Sequence, residues 1–236
     1  MKITSVNNKT IKEVTKLHQK KYRDQAKQFI CEGYHLYEEA KAHGIVKHIY
    51  TTDETIKGQN VTYVSKHVLE KLANTKRPQG VVTVCKMLEN TNLSDKVLLC
   101  DHVQDPGNLG TLIRSALAFG FETIVLEESV DIYNDKVLRS TQGAFFQMNI
   151  ITQNILEFIN SHSDYYYIGT ALSNQQLTDI THSEKVGIIV GNEGSGISKE
   201  ILEKTNINVT IPIQKIDSLN VGVAGSIVMH FISDFT

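Results

Sequence analysis

The sequence has few of the features that mark secreted, disulfide-bonded or membrane-spanning proteins. Its three cysteines, Cys31, Cys85 and Cys100, are widely spaced and form no CxxC pair, which disfavours a disulfide framework or a zinc site and fits a reducing cytosol. No apolar run approaches the roughly 20 residues that span a bilayer. The N-terminal MKITSVNNKT lacks the apolar segment of a signal peptide. We expect a cytoplasmic protein with no membrane partner and no metal.

Internal repeats, low-complexity tracts and the standard phosphate-loop motifs are also missing. The chain contains neither GxxxxGK[ST] nor GxGxxG, which disfavours a nucleotide-binding oxidoreductase of the Rossmann type. With 236 residues and 41% hydrophobic residues, the chain can form one large or two small globular domains.

Charge is distributed unevenly behind a net value of −2. Residues 1–93 contain 16 Lys and Arg against 9 Asp and Glu, whereas residues 94–236 contain 8 against 17. Within residues 1–27 the count is 8 basic to 2 acidic. A solvated lysine-rich helix is one interpretation, and a basic module that meets a polyanion is the other. A membrane is the weaker polyanion candidate because no hydrophobic face accompanies the lysines.

Alternating strand and helix patterns predict an α/β protein with mostly parallel sheets. A polar stretch without apolar periodicity, residues 88–95, is the predicted linker between domains 1–93 and 94–236. Strands are predicted at 28–33, 47–52, 61–65, 80–87, 96–101, 123–128, 145–150, 165–170, 186–191 and 208–213. Helices are predicted at 7–25, 34–44, 66–75, 106–120, 134–140, 154–162, 198–205 and 218–233.

Three loops follow strands of the second domain, where α/β sheets bind ligands. The first leads into residues 106–120, a helix with one apolar stripe that we expect Asn108 to cap. Arg114 lies outside that stripe. It is either an ordinary surface residue or a guanidinium that binds phosphate with paired hydrogen bonds. The second, residues 191–196, reads GNEGSG, which is either a plain turn or backbone that approaches a neutral or cationic ligand. The third, residues 211–225, offers Ser218 or Asn220 as a helix cap.

Together these loops resemble the three motifs of the SpoU (TrmH-type) RNA ribose 2′-O-methyltransferases of the SPOUT superfamily. Residues 108–114, NLGTLIR, match N-x-G-x-x-x-R, and residues 191–196 match G-x-E-x-x-G. The third motif, I-P-M followed by S-L-N-V, is matched by residues 211–213 and 218–221, with Ile213 in place of methionine and a short loop at 214–217. EGYHLYEEA and RPQGVVTV in the first half resemble the family's L30e-like substrate-binding domain.

The resemblance implies a C-terminal SPOUT domain with a trefoil knot around a mostly parallel sheet, next to an N-terminal L30e-like α/β domain. It implies S-adenosylmethionine as the methyl donor and a homodimer with the active site at the subunit interface. The RNA partner is expected to be 23S ribosomal RNA. This preference rests on the presence of the accessory N-terminal domain, by analogy with the family. A tRNA 2′-O-methyltransferase and a non-catalytic RNA-binding protein of the same fold are the alternatives.

The resemblance also implies the site residues. The catalytic candidates are Arg114, Asn108, Glu193, Ser218 and Asn220. Arginine stays protonated in nearly all settings, so we favour Arg114 as an electrostatic stabiliser over a base, and Glu193 could carry the proton if its pKa is raised. The cofactor is expected to contact Gly191, Ile211, Leu219, Thr170, Asn192 and Val221. RNA phosphates are expected to contact Lys20, Lys21, Arg23 and Lys27.

Overall fold

A computed structural model describes residues 2–75, 77–89 and 92–233. The chain divides into two compact units, one of residues 1–88 with 131–146 and one of residues 89–130 with 147–236. Residues 131–146, which the sequence analysis placed in the second domain, therefore pack with the first unit. The domains 1–93 and 94–236 stay predictions. Asn90 and Thr91 of the predicted linker 88–95 lie outside the described residues.

The helices and strands follow the predicted order closely. The helices are α1 (Lys9–Lys16), α2 (Lys20–Ala26), α3 (Tyr34–Ala42), α4 (Lys66–Leu72), α5 (Pro106–Ala118), α6 (Asp135–Thr141), α7 (Ile155–Ser161), α8 (Lys199–Leu202) and α9 (Val221–Ser233). The strands are β1 (Lys2–Ile3), β2 (Gln28–Glu32), β3 (Val46–Thr51), β4 (Val61–Val64), β5 (Val81–Lys86), β6 (Lys96–Asp101), β7 (Thr123–Glu127), β8 (Asn149–Thr152), β9 (Tyr166–Gln176), β10 (Val186–Val190) and β11 (Ile207–Thr210). Short 3₁₀ helices occur at Ala144–Gln147 and Leu177–Asp179.

The first unit is built on a mixed five-stranded sheet in the order β1-β4-β3-β5-β2. Phe29 of β2 is fully buried, and its ring lies 4.8 Å from Tyr133 and 5.6 Å from Phe145 between centroids. The predicted strand 145–150 is therefore wrong at its start. Residues 144–147 form a 3₁₀ helix that buries Phe145 in this aromatic cluster, and the strand begins only at Asn149.

The predicted helix 7–25 is interrupted between α1 and α2. Arg23 is only 5% exposed, and its Nη1 donates to the carbonyls of Leu17 and His18 at 2.9 and 2.8 Å. Its Nη2 forms an ion pair with Asp131. The Arg23 guanidinium is therefore buried and paired at the chain turn between the two helices, which disfavours the predicted contact with RNA. Lys20, Lys21 and Lys27 are exposed.

The second unit is built on a six-stranded, all-parallel sheet in the order β11-β9-β10-β6-β7-β8. Strands β6 and β10 are adjacent and almost wholly buried, as their continuous apolar runs predict. Because the strands are parallel, their carboxyl ends lie at one edge, where the three motif loops begin. Among the described residues no helix is long and apolar enough to cross a membrane.

Helices α5 and α9 of the second unit pack closely. The hydroxyls of Ser115 and Ser226 lie 2.6 Å apart. A Cβ at Gly225 would lie 2.5 Å from Leu112 of α5 and 3.1 Å from Val190 of β10. The glycine inside α9, which costs about 1 kcal/mol relative to alanine in a helix, is therefore explained by close packing against α5.

Candidate active site

Helix α5 starts at Pro106, as predicted, but its cap is a different residue from the one predicted. Asp105 is the N-cap, its Oδ1 accepts the backbone N–H of Asn108 at 2.9 Å, and Pro106 occupies the first helical position. The prediction that Asn108 caps this helix is therefore wrong. Asn108 lies one turn inside the helix and is 8% exposed, so its side-chain amide is left free to bind other groups.

Glu193 of the second motif is held by donors from the first motif. Its Oε1 accepts the backbone N–H of Asp105 at 3.0 Å and the Asn108 Nδ2 at 2.9 Å. Its Oε2 accepts the backbone N–H of Gln104 at 3.2 Å. The carboxylate thus ties the loop after β10 to the start of α5.

Asn220 of the third motif completes this network. Its Nδ2 donates to the Oδ1 of Asn108 at 2.7 Å, while its own Oδ1 accepts the N–H of Gly222 at 2.9 Å at the start of α9. Each amide group in the chain from Glu193 to Asn108 to Asn220 has one consistent orientation, because every donor faces an acceptor. The structure therefore joins all three motifs by side-chain hydrogen bonds.

These hydrogen bonds set the protonation of Glu193. Burial acts to raise the pKa of its carboxyl, but the hydrogen bonds from Asn108, Asp105 and Gln104 outweigh burial and lower the pKa. The condition under which Glu193 would carry the reaction's proton, a raised pKa, is not met. The carboxylate is an ionised anchor for the two loops.

The loop at residues 191–196 folds back on itself. The backbone groups of Asn192 and Gly196 exchange hydrogen bonds at 3.0 and 2.9 Å. The Asn192 Oδ1 accepts the N–H groups of Gly194 and Ser195, and its Nδ2 donates to the His102 carbonyl at 2.9 Å. A Cβ at Gly191 would lie 2.2 Å from the carbonyl carbon of Gly196. Glycine is required there by the returning backbone.

A cavity of about 670 Å³ opens beside this loop. All six predicted cofactor residues line it, and so do three catalytic candidates, Glu193, Ser218 and Asn220. The other lining groups are mostly backbone and apolar side chains, including Leu172, Val209 and Ala224, with Asp217 as a second carboxylate. No lysine or arginine among the described residues lines the cavity. A phosphate-bearing ligand would lack a cationic partner here. An adenosine with a cationic sulfonium fits this set of groups, so the residues present suit S-adenosylmethionine.

Arg114 does not line this cavity. It is exposed on α5 and forms no hydrogen bond or ion pair with any residue that the structure describes. Six residues separate it from Asn108, so at 100° per residue the two side chains point about 120° apart around the helix. The structure therefore brings together Asn108, Glu193, Ser218 and Asn220 at one site, and leaves Arg114 facing away from it.

Sequence reasoning missed His102, which lies at the carboxyl end of β6. Its Nδ1 lies 2.5 Å from the Asp101 Oδ1 and its Nε2 lies 3.1 Å from the Glu128 Oε2. The hydrogen bond with Asp101, which is the largest cause, and the contact with Glu128 raise the His102 pKa above 6.5. The signal in the sequence was a histidine directly after the predicted strand 96–101. In the structure it occupies a left-handed position with φ of 57°.

We expect the stabilisation from His102 to depend on pH. The folded-state pKa exceeds the unfolded value of 6.5, so the contribution is fully present below pH 6.5 and is lost as pH rises through the folded pKa. The side chain is 44% exposed, which limits the effect to about 1 kcal/mol. Urea unfolding of wild type and His102→Asn, a residue that tolerates the left-handed backbone, measures it. A stability difference that stays constant between pH 6 and 9 would contradict the assignment.

Comparison with known proteins defines the class of this protein. A sequence model of the SpoU rRNA Methylase family matches residues 95–230, and one of the MRM3-like substrate binding domain matches residues 8–83. The chain belongs to the SpoU rRNA methylase family. The family assignment from the three motifs is confirmed, and with it the prediction of a methyltransferase that uses S-adenosylmethionine.

Individual relatives cover nearly the whole chain. The 23S rRNA (guanosine(2553)-2′-O)-methyltransferase RlmP of Bacillus subtilis is 39% identical over 98% of both chains. The 23S rRNA (guanosine-2′-O-)-methyltransferase RlmB of Coxiella burnetii is 28% identical over 73% of this chain and 76% of its own. A crystal structure of an AdoMet-bound rRNA methyltransferase from Sinorhizobium meliloti has a TM-score of 0.89 at 27% identity, covering 100% of this chain and 98% of that one.

Proposed function

We propose that the protein transfers the methyl group of S-adenosylmethionine to a ribose 2′-hydroxyl of 23S ribosomal RNA. The observation that supports this most is the hydrogen-bonded chain from Glu193 through Asn108 to Asn220, at the edge of a cavity that no basic side chain of the described residues lines. The B. subtilis relative, which spans the same length, bears this activity in its name. The intact network disfavours a non-catalytic RNA-binding protein, and the two ribosomal RNA relatives favour ribosomal RNA over tRNA.

Some of the site residues shape the cofactor cavity, and Arg114 stabilises charge on the RNA. The cofactor supplies an electrophilic methyl group when bound. Asn108 and Glu193 fix the loop that forms one wall of the cavity, and Ser218 and Asn220 present polar groups at its edge. Negative charge would develop on the ribose 2′-oxygen as its hydroxyl gives up a proton. Arg114 stabilises that charge and binds the neighbouring phosphate.

A homodimer accounts for the position of Arg114. Because this side chain lies outside the cavity of its own chain, we propose that a second copy brings an arginine to each site. Val223 and Ile227 lie one helical turn apart on α9 and are 46% and 37% exposed, which supplies an apolar face for that copy. The trefoil knot stays a prediction from the family resemblance, and the cytoplasmic location stays a prediction from the sequence.

The basic part of the first unit is proposed to hold RNA. Lys20, Lys21 and Lys27 are exposed near the start of the chain, so they remain candidates for phosphate contacts after the loss of Arg23. Such contacts give affinity and salt dependence more than sequence choice.

Methyl transfer to defined RNA tests the proposed function. Purified protein, tritiated S-adenosylmethionine and unmodified 23S ribosomal RNA transcribed in vitro should yield labelled RNA, with the label mapped to one nucleotide. A 2′-deoxy substitution at that nucleotide should block transfer, whereas a substitution at the adjacent nucleotide should not. Transfer to a base, or to tRNA alone, would contradict the proposal.

A further inference from the structure

The first unit contains a cleft of about 230 Å³ that no motif predicted. Three separate stretches of chain line it: the end of β2 with the start of α3, the loop after α4, and helix α6 with the residue that follows it. The last stretch belongs to residues 131–146, which lie far along the chain but pack within this unit. Chain topology therefore assembles a site that neither half of the sequence carries alone.

Two arginines give the cleft its positive charge. Arg77 is exposed and has no hydrogen bond or ion pair with any described residue. Arg139 uses one guanidinium nitrogen for Asp135 at 3.0 Å, and its side chain is 35% exposed. Its remaining N–H groups have no acceptor in the described part of the chain. A guanidinium with free N–H groups binds phosphate oxygens with two parallel hydrogen bonds.

Neutral donors in the lining of the cleft also lack partners among the described residues. Gly33 caps α3 and has no side chain to accept the first N–H groups of the helix. The N–H groups of His35 and Leu36, both at the lining, donate to no described acceptor. The Oγ1 of Thr75 is buried and has no partner in the described ranges. Buried polar groups without partners are rare in native proteins, so the Thr75 hydroxyl points to a ligand that forms hydrogen bonds in the cleft.

One carboxylate, Glu32, opposes this positive charge. Its Oε1 accepts the N–H of Asn74, and the Asp135 carboxylate is engaged by Arg139. Among the described lining residues the two arginines therefore outnumber the single carboxylate, which suits an anion and disfavours a cation.

We propose that this cleft binds a phosphodiester group of the RNA substrate, an inference that rests on the proposed function. The match of residues 8–83 to a substrate-binding domain places the cleft on the unit that meets substrate. Arg77 and Arg139 grip the phosphate oxygens, and the helix N–H groups and Thr75 bind the oxygens turned inward. The cleft anchors the backbone of the RNA and does not read its sequence.

The salt dependence of RNA binding tests the cleft. Filter binding of unmodified 23S ribosomal RNA transcribed in vitro is measured between 50 and 200 mM salt. Arg77→Ala should weaken binding about tenfold and reduce the slope of log K against log[salt] by about 0.7 to 0.9, as loss of one phosphate contact requires. Arg77→Lys should keep the slope and lose part of the affinity, because the charge remains while the fork is lost.

Two further variants make the test specific. Glu32→Gln keeps an oxygen for the Asn74 N–H and removes the opposing charge, so it should tighten binding. Lys136→Ala removes one positive charge from an exposed position on α6 outside the cleft lining, so it should leave the slope unchanged. An unchanged slope in Arg77→Ala, or a slope loss of the same size in Lys136→Ala, would overturn the proposal.

The outcome is separable from that of the proposed function. If wild-type protein methylates the RNA and Arg77→Ala keeps the full salt slope, the cleft proposal alone fails. If wild-type protein binds RNA and transfers no methyl group, the proposed function fails. The binding measurements on the variants still test whether the cleft binds a phosphodiester group. Circular dichroism spectra and urea unfolding midpoints that match those of the wild type show that the variants are folded.

Discussion

Arg114→Ala is expected to reduce the rate of methyl transfer by about 10³-fold, the cost of removing one group that stabilises developing charge. The side chain is exposed and has no partner among the described residues, so the folded state should lose little stability. Single-turnover transfer from tritiated S-adenosylmethionine measures the effect, and calorimetry should show unchanged cofactor binding. Arg114→Lys should transfer methyl groups at a rate between those of wild type and Arg114→Ala, because lysine keeps the charge but not the paired donors. Full turnover in Arg114→Ala would refute the role.

Mixing two inactive variants decides whether Arg114 acts on its own chain's cavity or on that of a second copy. Arg114→Ala has an intact Asn220, and Asn220→Ala has an intact Arg114. If the arginine acts across a homodimer interface, the mixed dimer has one complete site of two, and an equal mixture should recover about a quarter of wild-type activity. If it acts within one chain, every site carries a defect and the mixture stays inactive. Val223→Glu should abolish both the dimer and the recovery.

The sequence predicted the order of the elements because their signals are local. Continuous apolar runs marked β6 and β10, and the leucine stripe marked α5. The three motif loops were located because parallel strands carry their loops to one edge.

The errors share a different cause, which is contact between residues distant in sequence. Arg23 looked like an RNA contact, but Asp131 lies 108 residues away along the chain and pairs with it. Phe145 looked like a strand residue, but Phe29 draws it into the first unit's core. Asn108 looked like a helix cap, but its side-chain amide forms hydrogen bonds with Glu193 and Asn220. A single sequence carries no local sign of such partners.

Gly191→Ala is expected to weaken cofactor binding strongly. A Cβ at this position would lie 2.2 Å from the carbonyl carbon of Gly196 and 2.3 Å from the backbone nitrogen of Ile197. Both atoms belong to backbone, so no rotamer change can relieve the clash and the loop must move. That loop forms a wall of the cavity, and a displacement of about 1 Å in a binding site can cost 10²-fold. We expect S-adenosylmethionine affinity to fall by about that factor or more, measured by calorimetry.

Alanine variants of two neighbouring glycines distinguish this steric clash from a general need for a flexible loop. A Cβ at Gly194 would meet only the Asn192 Oδ1, at 3.5 Å, so Gly194→Ala should bind the cofactor nearly as wild type does. Gly196 has open space around it but a φ of +72°, so alanine there should cost about 1–2 kcal/mol of stability from backbone strain. If Gly194→Ala lost as much affinity as Gly191→Ala, loop flexibility would explain the loss. A loss confined to Gly191→Ala assigns the requirement to the close approach of residues 191 and 196, which shapes the cavity wall.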